Sequence, residues 1–518
     1  MVQIRNDKYP DTSEFNVYFE KYPYVLSSFQ KHAIEGIVEN NHVLVTAHTG
    51  SGKTLPAEFT IEHWVSQNKK VIYTSPIKAL SNQKFYEFTA KFPHISFGLF
   101  TGDIKTNPEA DVLIMTTEIL MNRLFNHNTE STLNENILQF QMDFENELAA
   151  VVFDEVHYIN DMDRGQVWEK TILMLPDHVQ MIMLSATMDN PTAFGNWIER
   201  NHITKQVFIC PTNHRVVPLT HYGFMAMGEH EFKLIKDKSL QQQMRKYSNT
   251  PIKLKDSNGK FIPEGYRQIM RIEDHLQKQR AHIPRKFVLN NLVKYLKDNE
   301  MLPAICFVFS RKNVELCAKE ITIPLLEEDS KIPYYVEKES KQILHRLPNH
   351  EEYMRLPEYI HLISLLEKGI GIHHSGMIPI LREIAELFIS KKYIKVLFAT
   401  ESFAIGLDCP IKSSVFTGIT KYDGNYHRLL HSHEYTQMAG RAGRRGIDTV
   451  GYVIHCNNLL KSQPSENEYK LMMGGKPPTL FSKFKLDYSL VLNIIKSNTD
   501  TTIETIYKFI EKSMFHDE

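Results

Sequence analysis

The sequence predicts an α/β protein built from two tandem parallel-sheet domains, and three observations support this. From about Val43 to Cys210 short apolar runs alternate with helical stretches: Val43-Leu44-Val45, Val71-Ile72-Tyr73, Val112-Leu113-Ile114-Met115, Val151-Val152-Phe153 and Met181-Ile182-Met183-Leu184. Each run is too short for a helix, rich in β-branched residues and followed by a polar or glycine-containing turn, as expected for strands covered on both faces. The rhythm resumes at Ala304-Ile305-Cys306-Phe307-Val308-Phe309 and continues through 394–399, 415–416 and 451–454. Finally, 518 residues with 42% hydrophobic and 23% charged content can bury a large core, which excludes disordered and fibrous classes.

The expected organisation is a first α/β domain over 1–222, a connector over 223–300, a second α/β domain over 301–460 and a short, mostly helical tail over 461–518. Residues 229–300 lose the strand rhythm and hold sixteen Lys/Arg against nine Asp/Glu, reading as a solvated connector with a helix near 267–280. Residues 124–150, with five acidic residues and no basic one, read as a surface insertion. Tail helices are expected over 488–495 and 503–514.

Sixty basic and sixty-one acidic residues cancel, so a polyanion partner has to be held by a local groove. Five widely spaced cysteines fit neither a disulfide framework nor a C-x-x-C site and point to a reducing compartment. No stretch approaches the ~18 uncharged apolar residues of a membrane span, and residues 1–8 lack the apolar core of a secretory signal. No membrane partner is expected. The 42 Lys to 18 Arg, beside abundant Ile and Asn, suggest an AT-rich coding sequence.

Ala47-His48-Thr49-Gly50-Ser51-Gly52-Lys53-Thr54 follows the first strand and opens a helix. Its glycines let backbone N–H groups curl around phosphate, the helix N-terminus adds a favourable dipole, Lys53 reaches the β- and γ-phosphates and Thr54 offers a hydroxyl to Mg²⁺. About a hundred residues on, Val151-Val152-Phe153 runs into Asp154-Glu155-Val156-His157. There Asp154 is expected to hold the metal through water while Glu155 orients and deprotonates the attacking water. An N-cap pair is the alternative, and the upstream phosphate loop favours catalysis. Ser185-Ala186-Thr187 after the next strand is a weak signal alone. Further on, Gln437-Met438-Ala439-Gly440-Arg441-Ala442-Gly443-Arg444-Arg445-Gly446 sets arginines three apart, expected at a helix start and aimed at one target. Planar, permanently charged Arg441 and Arg444 suit a transferring γ-phosphoryl group.

With these motifs assembled, the chain resembles the Ski-two-like (superkiller) DExH-box helicases of helicase superfamily two, and within them the exosome-associated RNA helicases. Further residues carrying the resemblance are Tyr22-Pro23-Tyr24 with Phe29-Gln30, the segment 74–84 from Thr74-Ser75-Pro76 onward, 115–120, Gly369-Ile370-Gly371-Ile372-His373-His374-Ser375-Gly376 and 398–406. The resemblance runs from about residue 22 to the end. It implies two RecA-like domains followed by part of a winged helix, without the arch and ratchet domains of exosome-type relatives. It differs in its longer insertion at 124–150 and in Ser27, where the family usually has Asp.

Carried over residue by residue, the resemblance implies that Tyr24 stacks on adenine, that Gln30 reads its polar edge, that Gln437 joins Arg441 and Arg444 at the γ-phosphate and that Gly406 and Asp408 approach the ribose. RNA is expected at Pro76, Lys78, Thr117 and Glu118 of the first domain and at Ser310, Ser375, Gly376 and Thr400 of the second. Such a grip follows the sugar–phosphate backbone and is largely indifferent to sequence. Segment 416–434 corresponds to the family's duplex-splitting hairpin. ATP and Mg²⁺ are the expected cofactors. His373-His374 and His431-x-His433 lack partners at metal-ligand spacing.

The implied activity is ATP-dependent 3′-to-5′ translocation on single-stranded RNA with duplex unwinding, inside an RNA-decay or transcription complex. DNA-directed translocation and a nucleotide-gated RNA clamp are the alternatives. The expected setting is intracellular, cytoplasm or nucleus, with a virion or host cytoplasm if the AT-rich source is a large DNA virus.

Overall fold

A computed structural model describes residues 2–48, 50–102, 104–125, 142–161, 164–212, 214–347, 349–404, 411–423, 426–475, 477, 479–497 and 503–516. The chain forms two compact units, Met1–His214 with Pro477–Glu518, and Arg215–Lys476. Each is a RecA-like domain with its own mostly parallel sheet.

The first unit contains β1 (Gln3–Ile4), β2 (His42–Ala47), β3 (Lys70–Ser75), β4 (Phe97–Phe100), β5 (Lys105–Thr106), β6 (Val112–Thr116), β7 (Leu148–Phe153), β8 (Gln180–Ser185) and β9 (Val207–Thr212). Their order is β1-β9-β2-β8-β7-β3-β6-β4-β5, parallel throughout except for the β4–β5 pair. All five expected strands form. Alternate side chains enter two separate cores: Leu44, Ile72, Leu113, Val151 and Met183 on one face, Val43, Val71, Tyr73, Ile114 and Val152 on the other. Apolar residues on both faces explain why the strands read as continuous apolar runs.

The second unit contains β10 (Leu219–Phe224), β11 (Pro251–Lys255), β12 (Ala304–Phe307), β13 (Ile370–His373), β14 (Val396–Ala399), β15 (Ser413–Phe416) and β18 (Gly451–Cys456), ordered β11-β10-β18-β15-β12-β14-β13. A small antiparallel hairpin joins β16 (Thr420–Tyr422) to β17 (His427–Leu429), within the segment expected to hold one.

Three expectations need correction. The boundary at 222 falls inside β10, and 223–300 is no free connector. β10 pairs in parallel with β18 and antiparallel with β11, and helices Pro263–Lys278 and Arg285–Asp298 bury Ile269, Ile272, Val288, Leu289 and Leu292. The tail divides, because the contacts of 477–518 are with the first unit. Glu169, fully buried, accepts the Met514 N–H at 2.6 Å and the Ser482 hydroxyl at 2.9 Å, while Trp197 Nε1 donates to Lys512 O at 2.8 Å. Of the insertion, residues 126–141 lie outside the described residues, but its ends are core: Leu124, Phe125, Met142 and Phe144 are all buried.

Candidate functional site

The phosphate loop follows β2 and leads into helix Leu55–Val65, whose first turn carries Pro56. Gly50 and Gly52 take φ of 81° and 86°, conformations that other residues adopt only with strain. Thr49 lies outside the described residues; Ser51 and Lys53 are buried, Thr54 is half-buried and Gly50 is exposed. Lys53 Nζ lies 2.6 Å from Glu155 Oε2, with both side chains almost wholly buried. The structure thus brings together residues 102 positions apart.

Glu155 has φ 55° and ψ 46°, left-handed for a non-glycine residue at the end of β7. Such strain is of order 1–2 kcal/mol and clusters at functional positions. Asp154 is buried, and burial first and the neighbouring Glu155 second push its carboxyl above the usual range. The Ala186 N–H donates to His157 Nδ1 at 3.2 Å, so the weak Ser185-Ala186-Thr187 signal proves to be tied to the acidic motif.

Tyr24 is 49% exposed, its ring tilted against that of Tyr22 at 5.9 Å and otherwise open to a flat ligand. Gln30 differs from expectation, being fully buried with both ends of its amide engaged: Oε1 accepts the Ser27 N–H at 2.9 Å and Nε2 donates to Gly52 O at 3.0 Å. It braces the phosphate loop from a helix N-terminus, because its position three residues after the N-cap directs the side chain back toward the cap.

The residues expected at RNA fall on the carboxyl edges of the sheets. In the first unit Ser75 pairs with Thr116 across β3 and β6, so Pro76, Lys78, Thr117 and Glu118 are neighbours. Lys78 and Thr117 open helices Lys78–Lys91 and Thr117–Phe125. Two helix N-termini at one edge offer backbone N–H groups to phosphates. In the second unit Ala399 pairs with both His373 and Phe307, which aligns Ser375, Gly376, Thr400 and Ser310 along a like edge. A groove of about 260 Å³ there is lined by Ser310, Asn313, Lys421, Tyr422, His427 and Lys461 among others. The hairpin base is braced by Glu434, which lies 2.8 Å from Lys421 and from Arg428. Although burial opposes it, hydrogen bonds from these two cations hold the Glu434 carboxyl down to about 2.

The arginine motif also needs correction. Arg441 and Arg444 follow the end of helix Ser432–Ala439 in a turn rather than opening a helix. They do not converge: Arg441 donates to Ala404 O through Nε at 2.9 Å and through Nη2, while Arg444 forks Asp448 at 2.7 Å through two nitrogens. Gly443 at φ 89° turns the chain between them. Gln437 is half-buried on the preceding helix, and Gly406 and Asp408 lie outside the described residues.

Comparison with known proteins decides the type of domain. The family model described as DEAD/DEAH box helicase matches residues 27–194, the stretch that holds the phosphate loop, the acidic motif and the first-unit sheet edge. The chain carries a DEAD/DEAH box helicase domain. It is similar to human Superkiller complex protein 2, with 39% identity over 90% of this chain and 36% of that protein. It is also similar to Antiviral helicase SKI2 of Saccharomyces cerevisiae (37%, covering 95% and 40%) and to human Exosome RNA helicase MTR4 (36%, covering 92% and 42%). The chain therefore spans 36–42% of the length of these curated relatives.

Two further arginines brace segments of the candidate site and escaped sequence reasoning. Arg215 Nη2 donates to Gly440 O at 2.8 Å and Ala442 O at 2.7 Å, bracing the Arg441 turn. Arg164 Nη1 donates to Pro76 O at 3.2 Å and its Nε lies 4.0 Å from Glu118, linking both segments of the first-unit edge. Neither belongs to a motif with a spacing of its own, so nothing in the sequence singled them out.

Proposed function

We propose that this chain is an ATP-dependent RNA helicase that couples hydrolysis to 3′-to-5′ movement along a single strand and opens duplexes. The observation that carries this reading is the buried Lys53–Glu155 pair at 2.6 Å, beside Asp154 and at the mouth of a glycine loop. A triphosphate offers Lys53 a stronger partner than Glu155, and the released carboxylate is then a base for water. The donor set of a buried Asp154 carboxylate and the Thr54 hydroxyl suits Mg²⁺, which would supply charge neutralisation at the β- and γ-phosphates. Tyr24 takes the adenine face. In the second unit Gln437 and Arg441 are polar and positive groups suited to a phosphate, and Arg444 becomes one only by leaving Asp448.

The nucleic-acid residues at both sheet edges are polar, small or backbone-presenting, which supports a backbone grip without sequence readout. The names Superkiller complex protein 2 and Exosome RNA helicase MTR4 support work on RNA within an assembly of exosome or superkiller type, and neither name supports the virion alternative. Among the described residues no helix is long and apolar enough to cross a membrane.

The test is strand displacement with matched RNA and DNA duplexes bearing a 3′ or a 5′ tail. Opening of the 3′-tailed RNA duplex alone is expected. Equal opening of 3′- and 5′-tailed substrates would sink the polarity, and RNA-stimulated ATPase without any opening would replace the helicase by a clamp.

A further inference from the structure

Tyr73 lies within β3, wholly buried, and its hydroxyl donates to Asp154 Oδ2 at 2.5 Å. The second carboxylate oxygen of Asp154 accepts the Glu155 N–H at 3.0 Å, and the Asp154 N–H donates to Thr74 O at 2.9 Å. The carboxylate is thus held at both oxygens, one of them by a phenol on the neighbouring strand. The Tyr73 ring meets Phe88 edge-on at 5.3 Å, packing that a phenylalanine would reproduce. Packing therefore does not account for the hydroxyl. A buried tyrosine hydroxyl needs a partner, and this one is bonded to the carboxylate assigned to the metal.

We propose that Tyr73 is a positioning residue for nucleotide-bound Mg²⁺: its hydroxyl fixes the Asp154 carboxylate, leaving the lone pairs it does not use to accept metal-bound water. The inference rests on the reading of Asp154 as the metal-holding carboxylate. A carboxylate has about four acceptor sites, of which the Tyr73 hydroxyl and the Glu155 N–H take two. Removing the hydrogen-bond partner of a directly ligating residue typically changes metal affinity by 10–100-fold; Tyr73 stands one bond further out, behind Asp154 and the water, so an effect at or below the lower end of that range is expected. Tyr73 is also two residues from Ser75, where β3 ends at the proposed RNA edge, so one rigid strand carries both the support of Asp154 and the approach to Pro76 and Lys78.

The test is a Mg²⁺ titration of binding of a fluorescent ADP analogue to the 518-residue chain, started in excess EDTA, with thermal melting as a control for folding. Tyr73→Phe is expected to keep the nucleotide affinity measured in EDTA and to raise the Mg²⁺ half-saturation several-fold, up to about 10-fold. Phe88→Leu disturbs the ring packing and keeps the hydroxyl, so a wild-type Mg²⁺ response is expected. A wild-type response from Tyr73→Phe, or an equal shift from Phe88→Leu, overturns the inference. Asp154→Ala separates the two levels: an unchanged Mg²⁺ response there removes Asp154 from the metal site, whereas a lost response there beside a normal one in Tyr73→Phe sinks the Tyr73 assignment alone.

Discussion

Lys53 and Glu155 neutralise each other at 2.6 Å in a setting where each side chain is about a tenth exposed. The base proposed to activate water is thereby occupied until a phosphate draws the lysine away. Glu155→Gln removes this competition and the base together. Its nucleotide affinity should be at least as tight as that of the parent chain, and its turnover should fall by about 10²-fold or more. Steady-state ATPase assays and equilibrium nucleotide binding check this, and near-normal turnover would remove Glu155 as the base.

Arg441 and Arg444 should separate experimentally because their surroundings differ. Arg441→Ala should lower kcat by roughly 10³-fold with a much smaller change in KM, as for arginines that neutralise a transferring phosphoryl group. Arg444→Ala takes the forked guanidinium from Asp448, whose side chain is 4% exposed, and leaves it the backbone N–H of residue 444 and the nearby charge of Lys412. Losing hydrogen bonds to a charged group costs about 1.5–3 kcal/mol, so a lowered Tm should accompany any kinetic effect. Equal kcat losses at unchanged Tm would place both arginines in the chemistry.

Much of the fold was legible because strands covered on both faces leave continuous apolar runs, as at Val151-Val152-Phe153. β10 was missed because Leu219-Thr220-His221-Tyr222-Gly223-Phe224 buries polar groups paired inside the fold. His221 Nδ1 lies 2.6 Å from the Tyr435 hydroxyl, which lies 2.9 Å from His455 Nε2. The phosphate loop and acidic motif were readable from local spacing. Arg215, Arg164 and Tyr73 were not, because each acts through a partner fixed only by tertiary structure.

That buried histidine pair predicts acid sensitivity. Burial lowers His455 from 6.5 to about 3, and lowers His221 well below 6.5. Unfolded chains take up these protons below about 6.5 and the folded chain does not, so the stability is fully present above 6.5 and is lost as pH falls toward 3. The expected slope is about 1.4 kcal/mol per pH unit for each histidine within that window. Urea unfolding between pH 7 and pH 5 should show it, added to that of other buried histidines such as His42 and His202, and His455→Gln, an acceptor that does not titrate, should reduce the slope by about 1.4 kcal/mol per pH unit. An unchanged slope would mean that His455 is protonated in the folded chain.

The divided tail predicts that covalent continuity is not what holds 477–518 in place. Glu169, Trp197 and Asn160 anchor it, with Asn160 donating to Thr479 O at 2.9 Å and accepting the Phe481 N–H at 2.8 Å. A protease site introduced at Gly474-Gly475 should, after cleavage, leave the tail bound to the chain on gel filtration. Glu169→Ala should release it or lower Tm, since the buried Met514 N–H loses its acceptor at about 1–3 kcal/mol and the half-buried Ser482 hydroxyl loses a further bond. Loss of the tail from the otherwise unaltered nicked chain would show that the contacts are too weak to hold it.

The last prediction concerns how nucleic acid is held. Lys78 is exposed at the first position of its helix, and a strand following this edge would meet its ammonium and the helix N-terminus at one phosphate. Most other residues on the two edges are neutral, and Glu118 lies near Arg164. Few counterions are then displaced, and log affinity should fall with log salt at about −0.7 per neutralised phosphate of a single strand. Lys78→Ala should flatten that slope by about 0.7 and weaken binding equally across sequences, because a backbone contact carries no base readout. Arg164→Gln, which keeps a donor for Pro76 O without the charge, should leave the slope unchanged if Arg164 only links the two segments. Fluorescence anisotropy with single-stranded RNA across a salt series measures both. A slope unaltered by Lys78→Ala would remove this lysine from the phosphate path, and strong sequence dependence in the parent chain would contradict a backbone grip.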